Sequence, residues 1–133
     1  LDLMAGDAGA DTARALLSLF FADQKLVTDR GVEEMAGFQQ DGGWAAQQAV
    51  AQAAFAEGKQ SFGLERTLSG IDKPVLLVWG ENDRVIPVQH AVEALTVFPD
   101  ATLRVLSDTG HVPQVERAVE VATAIDRFVR SIG

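Results

Sequence analysis

The sequence predicts an α/β chain: a helical segment over residues 1–70, followed over 71–133 by a parallel strand–helix–strand–helix unit. Three observations carry that reading. A continuous apolar run, Val75-Leu76-Leu77-Val78-Trp79, has the character of a strand buried on both faces of a parallel sheet. A second run, Leu103-Arg104-Val105-Leu106, follows after an interval that holds one helical pattern. Before residue 70, β-branched clusters are nearly absent and Ala and Gln recur with a helical apolar period. Two parallel strands do not make a finished sheet, because parallel sheets are normally larger and covered on both faces. The missing strands are expected to precede residue 1, which is Leu rather than Met, as in an excised or processed segment.

The elements follow in order. Leu16, Leu17, Phe20 and Phe21 form one apolar face of a first helix, roughly 8–22. Thr28 or Asp29 can cap a second helix, with Val32, Met35 and Phe38 as its apolar stripe. Gly42-Gly43 breaks the chain, and a third helix runs from about Trp44 to Glu57, with Gly58 placed as its C-cap. A short further helix is expected around Leu64–Leu68. Pro74 opens the first strand. Asn82, Asp83 and Pro87 make the loop beyond it, and Val88, Ala91, Val92 and Leu95 recur as on a helix. Pro99-Asp100 turns the chain into a strand over 102–107, and Gly110 ends the next loop. Val115, Val119, Ala122, Ile125, Val129 and Ile132 line one face of a long closing helix. Strand–helix–strand connections of this length imply a parallel pair with a right-handed crossover.

Composition narrows the function. Apolar residues make up 47% and charged residues 23%, the balance of one folded soluble domain. A net charge of −8 argues against a nucleic-acid or anionic-membrane surface, since phosphates would be repelled. No Cys is present, which excludes disulfides, thiolate metal sites and a Cys nucleophile. That fits a reducing compartment, and a cytoplasmic setting is expected. No run approaches the ~20 apolar residues of a membrane helix, and nothing resembles a signal peptide. No His/Asp/Glu spacing supports a metal site.

The chemistry concentrates in two loops. Asp83 and His111 each lie a few residues past the carboxyl end of a strand, where open parallel sheets place their ligands. A carboxylate beside an imidazole orients its tautomer and supports it as a general base. The plainer alternative makes Asp83 a turn-former in an Asn-Asp loop and His111 a capping or loop residue. With Gly and Pro punctuating both loops at matching register, the paired reading is preferred.

These residues carry a resemblance. Gly80-Glu81-Asn82-Asp83-Arg84-Val85-Ile86-Pro87 is similar to the G-x-x-D-x-x-x-P acid loop of the α/β-hydrolase superfamily. Gly110-His111-Val112-Pro113-Gln114-Val115-Glu116 is similar to its G-H-x-P-x-x-E base loop, with Ala118 where a Pro commonly stands. The likeness covers nearly half the chain and implies a partial α/β-hydrolase fold, with a cap over 1–70 and the last two strands over 71–133. It implies catalytic roles for Asp83 as orienting acid and His111 as base. The superfamily's G-x-S-x-G nucleophile elbow and its oxyanion-hole loop are both missing. The serines are Ser18, Ser61, Ser69, Ser107 and Ser131. Ser61 comes nearest, but Gly58 stands one residue too early and the segment lies between helices. The chain therefore offers no nucleophile, and alone it is expected to be inactive.

Within the superfamily, Leu19-Phe20-Phe21-Ala22-Asp23, Leu26-Val27-Thr28, Val32-Glu33-Glu34 and Asp41-Gly42 resemble the cap of one subgroup. That subgroup is the hydrolase-like acyltransferase domain of the acetoin dehydrogenase complex dihydrolipoyl acetyltransferase component. The resemblance implies a full enzyme that passes a small acyl group from a lipoyl thioester to coenzyme A, with a lipoyl domain elsewhere and other complex subunits as partners. No cofactor is expected on this segment itself, since Lys25, Lys59 and Lys73 stand in helix ends and a linker. Free-standing ester, thioester or carbon–carbon bond hydrolases share the layout. A non-catalytic assembly module, self-associating through a bare sheet edge, is the alternative from another class. Phe38 and Trp44 can line a substrate site, or simply pack within the cap. His90, Glu33-Glu34 and Glu116-Arg117 read as solvated surface, and Trp79 as core.

Overall fold

The computed structural model describes residues 9–54, 68 and 70–133. Those described residues belong to two compact units: Leu1–Ser18 with Lys25–Leu64, and Leu19–Gln24 with Glu65–Gly133.

The first unit is helical. Helix α1 (Ala10–Phe20) buries Ala13, Leu16 and Leu17. It stops two residues short of its expected end, and Leu19–Gln24 belong to the second unit. Helix α2 (Asp29–Phe38) begins where the sequence allows two caps. Thr28 takes the role, with extended backbone and a side-chain oxygen accepting from Gly31 N at 3.1 Å. Val32 and Ala36 face inward. A five-residue π-type turn, Gln39–Gly43, then joins α2 to α3 (Trp44–Ala54). Gly42 sits at φ 93°, a left-handed conformation that side chains resist, so the glycine break is a kink between two helices. The expected end of α3 at Glu57-Gly58, Lys59, Ser61, Ser69 and the short helix at 64–68 apart from Leu68 lie outside the described residues.

The second unit carries the sheet. Strand β1 (Val75–Gly80) pairs in parallel with β2 (Ala101–Leu106), Val75 opposite Ala101 and Gly80 opposite Leu106. Helix α4 (Gln89–Ala94) connects them and buries Ala91. Val75 through Trp79 are half-buried, not enclosed on both faces as the apolar run implies. Among the described residues β1 has only β2 beside it, which leaves its other edge unpaired.

The closing helix departs from expectation. It is two helices, α5 (Pro113–Glu116) and α6 (Ala118–Ile132), separated at Arg117, whose φ −137° and ψ 49° are non-helical. The half-buried residues of α6 are Val121, Ala124 and Phe128, whereas Val115, Val119, Ile125, Val129 and Ile132 are exposed, Val119 at 79%. The apolar stripe read from the sequence is real, but it lies on the uncovered side.

Candidate active site

The acid and base loops and the contacts that join them lie within the second unit. Gly80 closes β1 against the loop after β2. A Cβ there would stand 2.0 Å from the Gly110 carbonyl oxygen and 2.4 Å from that of Thr109. Only glycine lets the two loop backbones touch. Glu81 N donates to Leu106 O at 2.9 Å and Asn82 N to Thr109 O at 2.8 Å, extending the strand pairing into the loops. The acid and base loops are thereby joined before either side chain is considered.

Asp83 uses its two oxygens differently. Oδ1 accepts from Val85 N and Ile86 N, both at 2.9 Å, which closes the loop as a turn. Oδ2 lies 2.9 Å from His111 Nδ1. The side chain is only 4% exposed, so every bond to a buried carboxylate matters. The turn-forming and pairing roles weighed as alternatives thus coexist on one residue. With Nδ1 turned to the carboxylate, Nε2 is the ring nitrogen left to exchange a proton with a reacting group. His111 is 29% exposed, and its ring stands 5.4 Å from that of Phe20, tilted by 43°. A hollow of about 220 Å³ opens beside it, lined by Val78, Trp79, Gly80, Asp83, His111, Pro113 and Gln114. Such a site can take a proton from one reacting group and return it to another. Trp79 is half-buried, and its indole N–H donates to Ile86 O at 2.9 Å.

Sequence reasoning missed three contributors. The strap Leu19–Gln24, expected as helix end, threads beside both loops. Its Phe20 carbonyl accepts from His111 N at 2.7 Å, and its Phe21 carbonyl accepts from Arg84 Nη2 at 2.7 Å. Glu116 is the second, and here the solvated-face reading is corrected. It is half-buried and its carboxylate accepts from Gly110 N at 2.6 Å, Ala22 N at 2.8 Å and Asp23 N at 3.1 Å. Arg117 is half-buried too and donates to the carbonyls of Glu116 and Asp108, both at 3.1 Å. Asp108 is the third. It holds φ 51° in the turn after β2, a conformation Asp tolerates better than most residues. The available signal was the base-loop motif itself, whose G-H-x-P-x-x-E run holds Glu116 six residues after Gly110.

The remaining candidates belong elsewhere. Phe38 ends α2 in the first unit, 56% exposed, with its ring over Gly43. Trp44 starts α3 and is buried in that unit at 6% exposed. His90 is exposed on α4, and Glu33 and Glu34 are exposed on α2. Ser18 lies in α1, Ser107 just past β2 and Ser131 in α6, none within a G-x-S-x-G turn. Among the described residues no group of three or more His, Asp or Glu could hold a metal, and no helix is long and apolar enough to cross a membrane.

Comparison with known proteins points the same way as the loops. Residues 2–124 match the profile of the Alpha/beta hydrolase family. The dihydrolipoyllysine-residue acetyltransferase component of the acetoin cleaving system from Cupriavidus necator is 36% identical over 106 residues, covering 79% of this chain and 28% of that protein. A 2-hydroxy-6-oxononadienedioate/2-hydroxy-6-oxononatrienedioate hydrolase from Comamonas testosteroni is 30% identical over 115 residues, 81% of this chain and 37% of that one. Among solved structures, a meta-cleavage product hydrolase from Pseudomonas fluorescens superposes with a TM-score of 0.81 at 18% identity, over 98% of this chain and 48% of its own. The chain therefore spans well under two thirds of each of these proteins.

Proposed function

We propose, from the premise that this chain belongs to the alpha/beta hydrolase family, that it supplies the acid and base of a Ser-His-Asp-type triad to a longer acyltransferase. In this reading residues 1–70 act as cap and 71–133 as the rear of the catalytic core. The nucleophile and oxyanion donors come from outside these residues. The observation that carries the reading is the 2.9 Å contact between Asp83 Oδ2 and His111 Nδ1 at the shared mouth of two parallel strands. His111 Nε2 takes the proton from the attacking hydroxyl and delivers it to the departing group, while Asp83 holds the ring and stabilises the imidazolium.

For the reaction we favour acyl transfer of the kind named in the Cupriavidus relative, as one component of an acetoin-cleaving system. The donor is then a small acyl thioester on a lipoyl arm and the acceptor coenzyme A, both as substrates, with other subunits of the complex as partners. Phe38, outward on α2, and Trp44 are proposed as substrate-lining residues of the cap. A second reading, carbon–carbon bond or ester hydrolysis, is supported by the similarity to the Comamonas hydrolase.

The test uses the full-length enzyme. His111→Ala is expected to lower turnover by on the order of 10³-fold or more, as loss of a triad base does. Unchanged turnover removes His111 from the mechanism. Assay of the parent with an acyl dihydrolipoamide and coenzyme A, beside a 2-hydroxy-6-oxo-dienoate in water, separates the two reactions. Turnover of only the dienoate selects the hydrolase.

A further inference from the structure

We infer that Glu116 is a positioning residue for His111, acting by clamping the base loop to the strap Leu19–Gln24. The inference rests on the reading of His111 as the base. Its warrant is the number and origin of the donors. One carboxylate accepts three backbone N–H groups from two segments remote in sequence: Gly110, the residue before the histidine, and Ala22 with Asp23 on the strap. The strap answers directly, since Phe20 O accepts the His111 amide at 2.7 Å. Gly110 is pressed between them. A Cβ on it would stand 2.4 Å from Phe20 O, 2.8 Å from Ala22 N and 3.0 Å from Glu116 Oε1.

The backbone leading into the histidine is thus held from one direction by the strap and from the other by Gly80. The acid loop shares the anchor, because Arg84 Nη2 donates to Phe21 O. Asp83, His111 and the strap are therefore one bonded assembly, and Glu116 is the side chain that closes it. A carboxylate suits the task. Its two oxygens serve Gly110 on one side and the strap on the other, without presenting a hydrogen of their own. A glutamine of equal size can satisfy only one side and turns N–H toward N–H on the other.

The experiment compares Glu116→Gln with the parent in the full-length enzyme, with His111→Ala alongside. The expected result is a kcat lower by about 10- to 100-fold with KM changed by less than about twofold, the size of effect small misplacements of a catalytic group produce. The downfield proton resonance of the His111–Asp83 hydrogen bond should broaden or vanish in the variant. Parental kcat with that resonance intact overturns the inference, and if His111→Ala is inactive in the same series the base reading survives alone. Unchanged turnover in His111→Ala defeats the base reading itself. Should Glu116→Gln fail to fold, amide exchange in the parent decides. Slow exchange at Gly110, Ala22 and Asp23 supports the clamp, and exchange at the open-chain rate overturns it.

Discussion

Asp83 shows how one side chain serves folding and chemistry through different atoms. Oδ1 closes its own loop and Oδ2 meets the imidazole. Asp83→Asn can keep the oxygen that the loop amides need while presenting the wrong partner to Nδ1. The fold is therefore expected to survive with kcat of the full-length enzyme reduced by on the order of 10³–10⁴-fold, checked by steady-state kinetics beside a thermal melt. A variant that melts early and retains turnover would place Asp83 in the turn alone. Both loop residues were legible in the sequence because Gly and Pro punctuation marks where strands end. Glu116 was not. A carboxylate on a short helix looks like a solvated face until the chain brings distant amides to it.

At the scale of elements, local chemistry decided starts and tertiary contacts decided stops. Thr28 caps α2 through a bond to an amide three residues ahead, a wholly local signal. Thr28→Ala should cost about 1 kcal/mol in chemical denaturation, the usual value of such a cap. A change within error would show that Asp29 substitutes for it. The end of α1 is set otherwise, because the carbonyls of Phe20 and Phe21 are used by His111 and Arg84 instead of a further helical turn. The same holds for Gly80. Its Cβ position is filled by the Thr109 and Gly110 backbone, which cannot rotate aside as a side chain could. Gly80→Ala should cost about 3 kcal/mol or more, at the upper end of overpacking effects, read from the shift in the denaturation midpoint. Near-parental stability would mean that the two loops separate easily.

At the scale of the whole chain, the apolar surface left open among the described residues is the main physical fact. Val119, Ile125, Val129 and Ile132 form a ladder of exposed residues along α6, and β1 has an edge unpaired among the described residues. Surfaces of this kind associate in water, since burying apolar area is favourable and bare edges pair. The 133-residue polypeptide by itself is expected to self-associate, and charged substitutions at Val119, Ile125 and Val129 together should reduce that association. Light scattering checks it: a monodisperse monomer from the parent sequence would exclude the expectation.

The amino-acid sequence alone determined the order of elements, the parallel strand pair and the two loops bearing Asp83 and His111. Those features are written in short-range periods and in residues that terminate strands and helices. Only the tertiary structure decided the break at Arg117, which face of α6 is covered, and the roles of the strap and Glu116. Each of these depends on hydrogen bonds or packing between segments dozens of residues apart, or on a backbone angle that no local pattern encodes.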